Sequence, residues 1–299
     1  MSSHTSEIAV VAHSKKVLGD GLMALRELLA TNGVVDPIWL EVDKSRKVPA
    51  RVAEARKRGA KLIMLWGGDG TVQRGIDAMI GHSGSLAILP AGTANLLAMN
   101  LGIPKDLDQA VAIALHGRDR VLDAGKINGE HFAVMAGTGL DALMIRDADR
   151  SLKDRFGRAA YVWTGARNVR HSHVRTKVCI DGHTWFDDKA GCVLIANVGQ
   201  ITGGITAFDH ARPDDGCLDV AVVTASGALQ WARALTRTAV GHADKSPLVQ
   251  MTTAKKIDIT MKHKMPYELD GGARSKTDSI KVRVVPAAIR MRVPHPLPT

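Results

Sequence analysis

Apolar positions along the first 120 residues switch repeatedly between two periods. Residues 8–12 form a short continuous apolar run, the mark of a strand buried on both faces. Residues 19–32 follow with Leu22, Leu25, Leu28 and Leu29 at helical spacing. The alternation continues with a strand at 38–42, an Ala- and Arg-rich helix at 49–58 opened by Pro49, and a strand at 62–66. A helix face of Val72, Ile76, Met79 and Ile80 comes next, then a strand at 86–89 and a helix marked by Leu107, Ala110, Val111, Ala114 and Leu115. Strands alternating with helices predict βαβ units and a mainly parallel sheet.

The pattern changes near Asp123. Runs at 121–127 and 131–136 flank Asn128-Gly129, a pair that tolerates the positive φ angles of a type I′ hairpin turn. Runs at 177–180 and 184–186 flank Asp181-Gly182 in the same way. Further strands are predicted at 192–197, 218–223, 256–261 and 281–285, with helices at 159–170 and 228–240 between them. The second half is therefore mainly antiparallel β. No repeat, low-complexity tract or long linker separates the halves, and the expected domains are 1–122 and 123–299.

Two loops carry the chemistry. The strand at 62–66 runs into Gly67-Gly68-Asp69-Gly70-Thr71 and then a helix. Glycines admit phosphate oxygens close to the backbone, and the N–H groups that open a helix point at an anion. Thr71 offers a hydroxyl. Asp69 beside phosphates is repulsive unless a divalent cation bridges them, so it is read as a Mg²⁺ ligand, directly or through water, the alternative being a tight turn with a capping Asp. The loop is not a P-loop, since no GxxxxGK[ST] occurs. The strand at 86–89 leads into Pro90-Ala91-Gly92-Thr93-Ala94-Asn95 and another helix. Loops at the carboxyl ends of parallel strands line one crevice, which sets Gly92 and Thr93 toward the same ligand. Asn95 either contacts phosphate or caps the following helix.

GGDGT followed by PxGTxN resembles the diacylglycerol kinase catalytic domain family over most of the chain. That group includes diacylglycerol, sphingosine and ceramide kinases, with NAD kinases as more distant relatives. Asp123-Ala124-Gly125, the segment 157–161, Asp214-Asp215-Gly216 and Asp270-Gly271 resemble further family motifs. The resemblance implies a Rossmann-like parallel α/β nucleotide domain, then an antiparallel β-sandwich whose last strands return to the first domain. It places the active site in the cleft between the domains. It implies an ATP-dependent kinase acting on a lipid hydroxyl, diacylglycerol first among the acceptors; the alternatives are a kinase of a soluble alcohol, NAD kinase-like, and a catalytically weak nucleotide- or lipid-binding regulator, the latter raised by Gly272. Ser14, Gly67, Gly68, Gly70, Thr71, Gly92, Thr93 and Asn95 carry over as nucleotide contacts, and Asp69 as central to catalysis. Mg²⁺ carries over to Asp215 with the main-chain carbonyls near Arg212 and Cys217, although an Asp-Asp-Gly run taken alone reads as a β-turn. A charge network of Asp123 and Arg158 with Asp215 is also expected.

Three departures stand out. Ala12-His13-Ser14-Lys15-Lys16 occupies the family's first glycine-type loop, so Ser14 and a lysine replace it. Gln73 and Arg74 stand where the family often has Asn-Glu. The glutamate that acts as general base is Gly272 here. Loss of a base costs about 10²–10⁴-fold, but a loose transition state makes positioning dominant. Asp270 is the expected substitute, with Glu268 on the same strand face.

Composition narrows the partners. The chain has 299 residues, 45% of them apolar, and a formal net charge of +10, which suits an anionic partner such as a nucleotide or an acidic membrane surface. The basic stretch Arg167, Arg170, His171, His173, Arg175 and Lys177 could meet anionic headgroups or simply line the surface. Aromatic residues make up only 4%, which argues against stacking on single-stranded nucleic acid. The three cysteines form no CxxC pair and point to a reducing compartment. Without a signal peptide or an apolar run long enough to span a bilayer, the expected location is cytoplasmic with peripheral membrane association. Self-association into a homodimer is left open.

Overall fold

A computed structural model of the chain describes residues 7–139, 173–201, 205–227, 229–231, 233–234 and 246–296. The helix predicted at 159–170, the segment 157–161, Arg158 and the start of the basic stretch lie outside these residues, as does most of 228–240. The chain divides into two compact units, Met1–Ala124 with Pro286–Thr299, and Gly125–Val285.

The first unit is built on β1 (Ile8–His13), β2 (Ile38–Val42), β3 (Leu62–Gly67) and β4 (Ser85–Pro90). All run parallel in the order β2-β1-β3-β4. Both central strands, β3 and β4, are buried along their whole length, which is why Leu-Ile-Met-Leu-Trp-Gly shows no alternation. The connecting helices are α1 (Gly21–Thr31), α2 (Val48–Lys57), α3 (Asp69–Met79), α4 (Leu96–Asn100) and α5 (Leu107–His116). Asp106 caps α5 by accepting the Gln109 amide at 2.9 Å.

β5 (Arg118–Ile127) leads from the first unit into the second. There, β6 (Glu130–Phe132), β7 (Met135–Gly139), β8 (Val174–Ile180), β9 (His183–Ala190) and β10 (Cys192–Ala196) are followed by the short pair β11 (Gln200–Ile201) and β12 (Ile205–Thr206). β13 (Leu218–Val223), β14 (Val249–Ala254), β15 (Lys256–Met265), β16 (Tyr267–Leu269), β17 (Gly272–Ala273) and β18 (Thr277–Val293) complete the chain. β18, β15, β8 and β9 pair antiparallel on one side. The order β14-β13-β10-β7-β16-β17 forms the other sheet. Phe132, Val178, Ile257, Ile259 and Val282 from the first meet Val193, Ile195, Val220 and Leu269 from the second in one buried cluster, the core of a β-sandwich.

Asn128-Gly129 and Asp181-Gly182 take positive φ at both positions, as the hairpin reading requires. The strand predicted at 131–136 is instead broken into β6 and β7 at Ala133-Val134. The reason is tertiary: the amides of Ala133, Val134 and Met135 turn to the Asp270 carboxylate at 3.0 Å each, and Asn197 Nδ2 donates to the Ala133 carbonyl at 3.0 Å. The strand expected at 281–285 is also longer. Residues 286–293 continue β18 into the first unit, where Met291 pairs parallel with Leu86 and Ile289, Met291 and Val293 are buried at alternate positions.

Candidate active site

The order β2-β1-β3-β4 reverses direction between β1 and β3. In open parallel sheets that is where ligands bind, outside the carboxyl ends of the strands. The loops leaving β1, β3 and β4 all open at that end, and they hold Ser14 to Lys16, Gly67 to Gly70 and Gly92 to Asn95 respectively.

Asp69 ties two of these loops together. It occupies the first turn of α3, with Gly68 as the extended N-cap. Its Oδ2 accepts the Asn95 amide at 3.0 Å and its Oδ1 the Leu96 amide at 2.6 Å. Those are the two leading amides of α4, so the carboxylate of one helix start caps another. Burial pushes the Asp69 carboxyl above its usual range, while these two amides and the charge of Lys16 pull the other way. From sequence this carboxylate is expected to bind Mg²⁺ and to be central to catalysis, with a capping role in a tight turn as the alternative. The structure gives it a second, structural occupation.

The glycines divide by role. A Cβ on Gly67 would strike Thr71 at 2.5 Å, and one on Gly92 would fall 2.4 Å from the Gly68 Cα. The two loops thus touch backbone to backbone, and only glycine permits that approach. At Gly70 the nearest atom to such a Cβ is Ser45 Oγ, at 3.9 Å. Gly70 is exposed and has open space in front of it, so it is the glycine free to receive an anion.

Two expected phosphate contacts are engaged elsewhere. Thr71 is buried, with its hydroxyl 3.3 Å from that of Ser45, a residue of the 3₁₀ turn Ser45–Lys47 that no sequence signal marked. Asn95 is buried in a left-handed conformation (φ 51°) and makes no side-chain cap. Its Oδ1 accepts the Gly92 amide at 2.9 Å, and its Nδ2 donates to the Gly92 and Pro90 carbonyls at 2.9 and 3.2 Å. Both amide protons are used, so Asn95 shapes the loop from within and has no donor to offer a phosphate. Thr93 is exposed on that loop.

The β1 loop supplies the positive charge. Trp66 Nε1 donates to the Lys16 carbonyl at 3.0 Å, pinning the loop to the end of β3. Ser14 is exposed, and its hydroxyl donates to the Val42 carbonyl at 3.2 Å. Lys16 is near enough to Asp69 for its charge to be felt there.

In the second unit, β16 ends at Leu269. Asp270 therefore lies in a turn (φ 44°), not on a strand face shared with Glu268. Its two oxygens receive the three amides that break β6 from β7. That is the geometry of a buried anchor, and a poor one for taking a proton from a substrate. Glu268 is buried and accepts the Gly271 amide at 2.9 Å. Arg274 donates to Glu130 at 2.9 and 3.0 Å and to the Gly272 carbonyl at 3.0 Å. A Cβ on Gly272 would meet Arg274 Nη1 at 2.8 Å, so a guanidinium adjoins the position where the family has its glutamate.

Asp123 is buried, and its Oδ1 accepts the Ala287 amide at 2.8 Å. At the Asp214-Asp215-Gly216 turn, Asp215 Oδ1 accepts the Cys217 amide at 3.0 Å. Asp219, on β13, has its carboxyl pushed up to about 6, by burial first and by the charge of Asp215 second. Asp219 was missed in sequence; only its place four residues beyond Asp215 hinted at it. Among the described residues, no group of three or more His, Cys, Asp and Glu side chains is gathered for a metal. Two carboxylates that repel each other, beside main-chain carbonyls, are nonetheless a donor set suited to a hard divalent cation.

The chain is similar in sequence and fold to known proteins. The family model described as the diacylglycerol kinase catalytic domain matches residues 13–127, and that of the YegS C-terminal NAD kinase beta sandwich-like domain matches 134–293. A protein of Shigella dysenteriae named "Probable lipid kinase YegS" is 30% identical over 288 residues, covering 94% of this chain and 92% of that one. A crystal structure of a diacylglycerol kinase from Bacillus anthracis superposes with a TM-score of 0.74 at 20% identity, over 96% of this chain and 97% of that one. An NAD kinase from Archaeoglobus fulgidus in complex with ATP gives 0.53 at 10% identity, over 95% and 92%. At such identities the two structures speak for the fold alone. The two family models and the YegS relative together show that this chain belongs to the diacylglycerol kinase catalytic domain family and is an ATP-dependent kinase with an alcohol acceptor.

Proposed function

We propose that the chain transfers the γ-phosphoryl group of ATP to the hydroxyl of a membrane lipid, with diacylglycerol as acceptor and phosphatidate as product. The observation that supports this reading is the paired-loop site at the switch point of a parallel sheet, where the exposed Gly70 lies in the first turn of α3 and the charge of Lys16 reaches Asp69. The N-terminal amides of α3 and the Lys16 ammonium attract the polyphosphate, and Ser14 and Thr93 border it. Asp69 fixes the spacing of the two loops. The lipid hydroxyl oxygen bonds to the γ-phosphorus as the bond to the β–γ bridging oxygen breaks, ADP leaves, and the hydroxyl proton passes to water or a nearby base. Positioning and charge supply most of the catalysis in such a step. Asp215, with Asp219, would hold a magnesium ion within the second unit, where its charge would offset the repulsion between the two carboxylates.

A diacyl lipid stays in its bilayer, so the enzyme works at the surface, and the net charge of +10 favours an anionic one. No helix among the described residues is long and apolar enough to cross a membrane. The test is transfer from labelled ATP to a panel of lipids in mixed micelles. Labelled phosphatidate that disappears in Asp69→Ala is expected; transfer only to water-soluble alcohols would overturn the acceptor assignment.

A second reading is a nucleotide- or lipid-binding regulator of low catalytic power. It is favoured by Gly272 and by the engagement of both Asp270 oxygens with main-chain amides. Tight ATP binding without transfer to any acceptor is its signature in the same assay.

A further inference from the structure

A cavity of about 840 Å³ lies in the first unit at the opposite end of the sheet from the glycine loops. It is bordered by the first residues of three parallel strands, Ile8, Leu62 and Ser85, and by β18 at Ile289 and Arg290. We propose that it binds a small amphiphile with one anionic head, a phosphate monoester or carboxylate, on a short apolar body. The proposal is independent of the kinase reading, since it uses no residue of the glycine loops.

The charges around the cavity are unevenly matched. Asp119 is held through Oδ1, by the Ser85 hydroxyl at 3.0 Å and by Arg292 Nε at 3.4 Å. Arg292 also donates to the Gly117 carbonyl at 2.8 Å, so that guanidinium is fixed in the wall. The Arg290 guanidinium reaches the remaining oxygen of Asp119 only at 3.7 Å, makes no hydrogen bond among the described residues, and its side chain is 56% exposed. Lys61 pairs with Glu7 at 2.6 Å, but its side chain is 73% exposed, and such pairs are worth little in water. His82, on the same rim, is exposed and its ring has no partner among the described residues. Lys61, His82 and Arg290 therefore surround the opening with donors that an anion could recruit at small cost.

Size and lining decide the rest of the ligand. The volume falls in the range of small-molecule sites, roughly 300–1,000 Å³, and far exceeds what a bare phosphate or carboxylate fills. Ile8, Leu115 and Val121 supply an apolar wall, with Val121 41% exposed although it belongs to a strand. A cationic rim beside an apolar wall fits a head and a tail of different character.

Calorimetric titration of the full chain below the micelle concentration tests this, with decyl phosphate, decanoate and neutral decanol as probes. Saturable binding of one or both anions, without decanol binding, is expected; the tighter anion names the head group. The double variant Lys61→Gln, Arg290→Gln should weaken the anion by roughly ten- to a hundred-fold, whereas Lys16→Ala in the glycine-loop site should leave it unchanged. Ser83→Phe, placed at the rim, should block binding should the double variant prove unstable. Equal binding of decanol, retention of affinity in both rim variants, or loss of affinity in Lys16→Ala overturns the proposal.

Discussion

Replacing Gly92 by alanine adds one methyl group where two main chains meet. Its Cβ would lie 2.4 Å from the Gly68 Cα and 2.5 Å from Asn95 Oδ1. Ordinary van der Waals contact begins near 3.4 Å, so the loops must part by about 1 Å. Neither side can yield cheaply. Gly68 is backbone at the mouth of α3, and Asn95 is held by three hydrogen bonds within its own loop. The separation also stretches the Asp69 bonds to the Asn95 and Leu96 amides. Overpacking of this kind costs about 1–3 kcal/mol, and weakening one charge-assisted hydrogen bond adds about 1.5–3 kcal/mol. A displacement of that size at the proposed phosphate site should also lower turnover by about 10²-fold. The assay pairs denaturant unfolding with steady-state phosphoryl transfer. Gly70→Ala is the control: the nearest atom is 3.9 Å away, so folding should hold while ATP affinity falls. Wild-type stability and wild-type turnover in Gly92→Ala would refute the claim that the close approach of these loops sets the site.

Asp69→Asn keeps the shape but presents a donor to one of two amide donors, so it should lose about 1.5–3 kcal/mol of stability as well as activity; calorimetry on the variant separates the two effects. Asp270→Ala leaves three amides unpaired and should destabilise the sandwich unit by at least about 3 kcal/mol, visible as an earlier melting transition. Asp219 has a folded pKa near 6 against an ordinary 3.8, so the folded state binds more protons than the unfolded one between these values. Metal-free protein should therefore gain stability from this group as pH falls from 7 toward 4.5. Asp219→Asn should flatten that gain and stabilise the protein at pH 7 by about 1 kcal/mol, after discounting for the group's partial exposure; urea unfolding in a chelator at pH 7 and pH 5 measures both. Ala287 has φ 49°, where an alanine is strained, and Ala287→Gly should raise stability by up to about 1 kcal/mol in the same assay.

The order and kind of most elements are legible in the amino-acid sequence, because each follows from local rules. Continuous apolar runs gave β1, β3 and β4, helical spacing gave α1, α3 and α5, and Asn128-Gly129 and Asp181-Gly182 fixed two hairpins through positive φ. The sequence also singled out the two glycine-rich loops at the carboxyl ends of β3 and β4, since glycines at a strand-to-helix junction are few and their chemistry is local. Folding decided what those residues touch. Asp69 caps a helix that begins 27 residues later in the chain, Asn95 braces its own loop, and Thr71 turns inward to Ser45. Asp270 breaks a strand 136 residues earlier, and the end of β18 joins a sheet begun at residue 8. Periodicity reports which face of an element is buried, but a hydrogen bond between residues distant in sequence leaves no periodic trace. Buried polar groups must find partners wherever the packed chain brings them, and only the tertiary structure says where that is.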